Sequence, residues 1–142
     1  MQLRHKPAVL TLSRQALPTL DRSKYAAPAG VARGGYILAD APGADPEVIL
    51  IGTGSELSLA VQAHEQLLTE GIRSRVVSKG STLGWERYVG ADGRVVGMVT
   101  FGAAAPLKAL QRRFGFEPDK VAAAAKAVLN RCRASPGGCM TA

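Results

Sequence analysis

Apolar residues recur along this chain in two rhythms, short unbroken runs and runs spaced three or four apart. The unbroken runs lie in residues 7–12, 34–40, 48–51 and 75–78, and have the length and branched side chains of buried strands. The segment "EVILIGTGSELSLAVQAHEQLLTEGIRSRVVS" joins two of them into a unit: strand, glycine turn, amphipathic helix, Gly71 stop and second strand. That order predicts a βαβ unit. In its helix Leu57, Ala60, Val61, His64, Leu67 and Leu68 share one face and are expected to pack on the sheet, leaving Gln62, Glu65, Gln66 and Thr69 toward water. Thr53 with Glu56 three residues later fits a capping box, and Ser55 competes as the N-cap.

Downstream, "KGSTLGWERYVGADG" is rich in glycine, with one helical turn expected at residues 85–88, and "RVVGMVT" (94–100) reads as a strand. "FGAAAPLKALQRRFG" predicts a helix opened by Pro106, with Leu107, Leu110 and Phe114 on one face and Gly115 as its stop. Arg112 and Arg113 fall in its last turn, where the helix dipole favours cations. "EPDKVAAAAKAVLNRC" predicts a final helix from Pro118, with Asp119 at its positive end and Val121, Ala124, Ala125, Val128 and Cys132 as the buried stripe. Upstream, Pro18, Pro28 and Gly30 divide a stretch with neither period, which reads as a linker. Helices alternating with buried strands predict an α/β fold, a three-layer sandwich with a mostly parallel sheet.

Composition narrows the class. With 142 residues, 46% of them hydrophobic, the chain can build one ordinary core. No apolar run approaches the length of a membrane span, and the N-terminal residues lack the pattern of a secretory signal, so a cytoplasmic location without membrane partners is expected. A net charge of +7, from 18 basic and 11 acidic residues, raises nucleic acid as a partner. The cations are scattered, and only seven residues are aromatic, so neither a groove-reading helix nor a stacking surface emerges. Nucleic acid is therefore not expected. Cys132 and Cys139 belong to no metal or redox motif and read as free thiols, Cys139 within a disordered tail at 133–142.

Three places carry candidate chemistry. The turn Gly52, Thr53, Gly54, Ser55 lies between a strand and a helix N-terminus, where backbone N–H groups can bind an anion. The alternative is a plain tight turn: Leu57 stands where a dinucleotide fingerprint needs its third glycine, and the next strand ends in Ser78 and Lys79 without an acid for a ribose. "KGST" has the wrong order for a phosphate loop, and no serine sits in a nucleophile elbow. His64 falls on an apolar helix face, which predicts a histidine satisfied in the core, and His5 has no nameable partner. No catalytic residue and no metal ligand set is assigned. Arg14 sits at the carboxyl end of a strand, where ligands gather in open α/β sheets, and its planar fork suits a phosphate. A solvated loop arginine is the competing reading.

The segments "LTLSRQALPTLDR", "ARGGYILADA", "EVILIGTGSELSLAVQAHEQLLTEGIRSRVVS", "GWERYVG" and "VVGMVTFGAAAPLKALQRRFGFEPDKV" together resemble the C-terminal part of bacterial-type transketolase. The resemblance implies that residues 1–33 are the last strand of a preceding pyrimidine-binding domain plus a linker, and that 34–132 form the C-terminal α/β domain. It further implies that Arg14, with Ser13, contacts the phosphate of a sugar substrate in the assembled enzyme. Thiamine diphosphate and magnesium serve the family, but their site lies in the preceding domains, so this chain alone is expected to bind neither and to be inactive. Its implied partners are those domains or a second subunit, with homodimer packing as the domain's contribution. Between "RVVS" and "GSTLGWERYVG" the family has several dozen further residues, including a sheet strand, where only Lys79 stands here. A sheet missing one strand is the consequence to look for.

Overall fold

The computed structural model describes residues 16–41, 43, 45–79, 89–90, 92–97 and 104–134. The expected strand at 7–12, the helical turn at 85–88, the end of the strand expected at 94–100 and the tail beyond 134 lie outside the described residues. Three strands, β1 (Gly35–Ala39), β2 (Val48–Gly52) and β3 (Ser74–Lys79), form one sheet in the order β1-β3-β2. Three α-helices accompany them: α1 (Leu57–Thr69), α2 (Leu107–Phe114) and α3 (Pro118–Ala134).

The βαβ unit forms as its sequence pattern dictates. Val48 to Gly52 pair in parallel with Ser74 to Ser78, and α1 makes the crossover. The sheet is mixed, because β1 runs antiparallel to β3, with an irregularity between Ile37 and Ala39. An antiparallel edge strand on a parallel pair is a common arrangement in such folds.

The core lies under α1. Ala60, Val61, Ala63 and Leu67 pack with Leu38, Leu50 and Val76 of the strands, and Leu57 packs against the same cluster. Gly71, with φ +77°, takes the left-handed conformation just beyond the helix and turns the chain into β3, as its place in the sequence required. Α3 packs on the flank of α1 through Ala122 and Ala125. Its buried residues are Ala122, Ala125 and Leu129, so the stripe is rotated from the expected one and Ala124 and Val128 are only half-buried. Two polar contacts fix that rotation: Gln66 donates to Asp119 at 2.6 Å and Lys126 to Glu70 at 2.7 Å. A poly-alanine segment offers several nearly equal apolar faces, and here partners on α1 choose among them.

Three further expectations change. Residues 94–96 are not in a strand. Pro106 is the N-cap rather than the first helical residue, and α2 has no buried side chain, with Leu107 44% exposed. The stretch read as a linker is partly docked: residues Pro28–Arg33 form a 3-10 helix, and Tyr25 is buried in the core cluster. The amide of Ala26 donates to the carbonyl of Leu38 at 3.0 Å, tying the linker to β1 at its bulge.

Candidate functional site

Gly52 and Gly54 shape the turn that links β2 to α1. A Cβ on Gly52 would lie 2.9 Å from the Leu57 Cα and 3.1 Å from its Cδ1, so glycine is what lets the helix sit directly over the strand end. Gly54, with φ +52°, starts a 3-10 turn, Gly54–Glu56, that leads into α1. Thr53 has the extended backbone of an N-cap but makes no side-chain cap bond, so the expected capping box does not close. Instead the Glu56 amide donates to the Thr53 carbonyl at 3.1 Å, Ser55 Oγ donates to the Glu56 carboxylate at 2.9 Å, and Ser58 Oγ donates to the Ser55 carbonyl at 2.9 Å. The Glu56 carboxylate reaches to 3.7 Å from where a Gly54 Cβ would be. A negative group at a helix N-terminus complements the dipole that an incoming anion would use.

Ser13 and Arg14 lie outside the described residues. Thr53, Gly54 and Ser55 are brought together with Gly52 in one turn, at the C-terminal end of the parallel pair.

His64 is where its helix face placed it, in the core. It is 3% exposed, and its Nδ1 lies 2.7 Å from Oγ of Ser74, which is wholly buried at the start of β3. Burial holds the imidazole pKa below its ordinary value, so the ring is neutral at pH 7. No buried side-chain polar atom among the described residues lacks a hydrogen-bond partner.

A second polar group couples the linker to α1. Tyr25 Oη and Lys24 Nζ both reach Glu65 Oε1, the lysine at 2.6 Å. The Lys24 hydrogen bond, then that of Tyr25, lowers the Glu65 pKa, and burial raises that of the tyrosine. Sequence alone assigned Glu65 to the solvent face; its partner is forty residues away and no local pattern announces it.

Most of the remaining charge is used within the fold. Arg75 of β3 bonds Asp40 through Nη2 at 2.8 Å and Nε at 2.9 Å, which lowers the carboxylate pKa. Glu47 at the start of β2 accepts from the Arg73 amide and from Arg133 of α3, and both bonds lower its pKa. Arg112 lies 3.9 Å from Glu117, and Arg113 stands over the Phe114 ring. Among the described residues no group of three or more His, Cys, Asp or Glu could hold a metal ion. No described helix is long and apolar enough to cross a membrane.

Cys132 corrects an expectation. It is disulfide-bonded, not a free thiol. No recognised motif around Cys132 announces that bond in the sequence.

The βαβ crossover, the antiparallel edge strand and the helices packed on α1 define a small α/β domain. The sequence profile of the transketolase-like TK C-terminal domain matches residues 34–82 and 78–117. The chain belongs to that family. It is 41% identical to transketolase 10 of Craterostigma plantagineum over 153 positions, covering 85% of this chain and 22% of that protein. Against transketolase 1 of Escherichia coli (strain K12) the identity is 40%, covering 87% of this chain and 23% of the relative. The fold superposes with TM-score 0.69 on the transketolase of Pichia stipitis in complex with sedoheptulose-7-phosphate, at 26% identity, covering 85% of this chain and 21% of that one. For the transketolase from Leishmania mexicana the TM-score is 0.58 at 29% identity, covering 72% and 19%.

The chain thus spans about a fifth of the length of its relatives. The alignment to the C. plantagineum protein runs over 153 positions but covers only 85% of these 142 residues, so the relative carries a few dozen residues with no counterpart here. The two pieces of the family match overlap at 78–82, across the end of β3. That is where the sequence reading places the internal deletion.

Proposed function

We propose that this chain serves as the C-terminal domain of a transketolase, the enzyme class that transfers a two-carbon ketol unit between sugar phosphates in the pentose phosphate pathway. In this reading residues 1–33 contribute the closing strand of the preceding pyrimidine-binding domain and a linker, and 34–132 form the C-terminal domain, whose last helix runs on to Ala134 instead of giving way to a tail at 133. The domain packs a homodimer, in the cytoplasm, while thiamine diphosphate and magnesium are held by domains other than this one. Arg14, helped by Ser13, grips the sugar phosphate only once the preceding domains surround it, because a guanidinium fork binds a phosphate productively only when something fixes its position. The observation that carries the proposal is the family match across 34–117.

The test is a coupled assay of ketol transfer from xylulose 5-phosphate to ribose 5-phosphate with thiamine diphosphate and magnesium present. The purified chain is expected to show no turnover above buffer, and clear turnover overturns the reading. The alternative, a free-standing anion or nucleotide module using Gly52, Thr53, Gly54 and Ser55, must contend with the Glu56 carboxylate already at that turn. Calorimetric titration with inorganic phosphate separates the two: the proposal expects no saturable heat.

A further inference from the structure

The segment ahead of β1 is organised by its own groups before it touches the rest of the fold. Asp21 Oδ1 accepts from the amide and the hydroxyl of Ser23 at 2.9 and 2.7 Å, and the Asp21 carbonyl accepts from the amides of Lys24 and Tyr25 at 3.2 and 2.9 Å. Arg22 closes the loop by donating to the Ala26 carbonyl at 3.1 Å. An aspartate bonded to the backbone two residues on is a strong turn former. This turn delivers two neighbouring side chains to one atom: Lys24 Nζ and Tyr25 Oη both donate to Oε1 of Glu65 on α1. Tyr25 is only 6% exposed and joins the core cluster, whereas the Lys24 side chain stays 58% exposed.

One residue further on, the same loop reaches the edge strand. β1 is irregular between Ile37 and Ala39, and Leu38 at that bulge is 2% exposed. A residue at a bulge is left out of the regular ladder, so its backbone polar groups need partners from elsewhere. The Leu38 carbonyl has one in the Ala26 amide, at 3.0 Å. Lifting residues 21–26 away removes the partner of a carbonyl on a buried residue, which favours the bulge letting go at the same moment. The parallel ladder of β2 and β3 is built from Val48–Gly52 and Ser74–Ser78 and does not use this loop.

We propose that residues 21–26 and the β1 bulge form one clasp, latched by the Glu65 carboxylate, which opens and closes as a unit while the βαβ unit stays folded. Cooperative opening of one such supersecondary piece ahead of the rest is a general property of folded domains. Because the clasp lies in the segment that leads into the domain, whatever moves residues 16–20 acts on α1 through Glu65 and on the edge strand through Leu38. The inference goes beyond the functional reading and uses no step of ketol transfer, so the two fail independently.

The test is amide hydrogen exchange on the full chain by NMR, comparing the parent with Glu65→Ala and Lys24→Met. In Glu65→Ala the Ala26 amide and the β1 amides bonded to β3 are expected to exchange roughly fivefold faster or more, by matching factors, with the β2 to β3 ladder changed by less than about twofold. Lys24→Met, at an exposed position, is expected to move the same amides by a smaller factor. Unchanged exchange at Ala26 in Glu65→Ala overturns the latch, and faster exchange at Ala26 with β1 unmoved overturns its coupling to the bulge. Should Glu65→Ala accelerate the whole chain alike, Lys24→Met decides: acceleration confined to Ala26 and β1 supports the clasp, and any other pattern overturns it.

Discussion

Replacing Ser74 by alanine tests whether the buried pair His64 and Ser74 stabilises the core as its geometry requires. The hydroxyl is wholly buried and lies 2.7 Å from Nδ1 of a ring that is 3% exposed. Removing it leaves the ring nitrogen without that partner in a place water does not reach, which costs about 1–3 kcal/mol. For a fold of this size that corresponds to a loss of roughly 4 °C or more in Tm. Thermal and urea unfolding followed by far-ultraviolet circular dichroism measures it. The double variant His64→Leu with Ser74→Ala removes both polar groups and is expected to lose less than Ser74→Ala alone. The pH dependence carries a second signature. Burial lowers the folded pKa of His64 below its ordinary value of 6.5, so the unfolded chain takes up the proton first. Stability is therefore complete above pH 6.5, falls as pH drops from there through the folded pKa, and falls again below pH 4.5 as Glu47 and Glu65, whose folded pKa values are depressed, become protonated. His64→Leu abolishes the first step and keeps the second. A loss under about 0.5 kcal/mol for Ser74→Ala, or a first step that survives His64→Leu, refutes the reasoning.

Tyr25→Ala empties a core position and releases the hydrogen bond to Glu65, for an expected loss of about 3 kcal/mol and faster proteolysis within residues 16–33, whereas Tyr25→Phe costs about 1 kcal/mol. Limited proteolysis and urea unfolding check both, and equal cleavage of Tyr25→Ala and the parent contradicts the docking. Gly52→Ala drives a Cβ to 2.9 Å from the Leu57 backbone and is expected to destabilise by about 1–3 kcal/mol, whereas Gly43→Ala, with nothing within 4 Å, is expected to show only the smaller strain of its positive φ.

The sequence was most informative where one local pattern determined the outcome. Of the six residues assigned to the buried face of α1, Leu57, Ala60, Val61, His64 and Leu67 meet the core, whereas Leu68 at its margin is only half-buried and Ala63, outside the assigned set, is fully buried. Gly71 and Gly115 end their helices because only glycine enters the left-handed region there at little cost. Patterns with degenerate solutions were less informative. The alanines of α3 left its rotation to Gln66 and Glu70 on another helix. The Thr53 and Glu56 pair satisfied a local rule, but Ser55 captured the glutamate first. Tyr25 sat among prolines and looked like linker, because its partners on α1 and β1 are far along the chain. For the candidate site, the glycine turn was legible in position, while the carboxylate that sits over it was read only as a cap.

The docking of Tyr25 and Leu20 also bears on how this domain would be carried by a neighbour. Twenty residues of irregular chain would ordinarily behave as a loose leash, letting two bodies tumble almost independently. Here Leu20 and Tyr25 pin the leash to the core, and Lys24 and Tyr25 hold it to Glu65 of α1. A pull applied at residue 16 would therefore reach the core within a few residues instead of being taken up by slack.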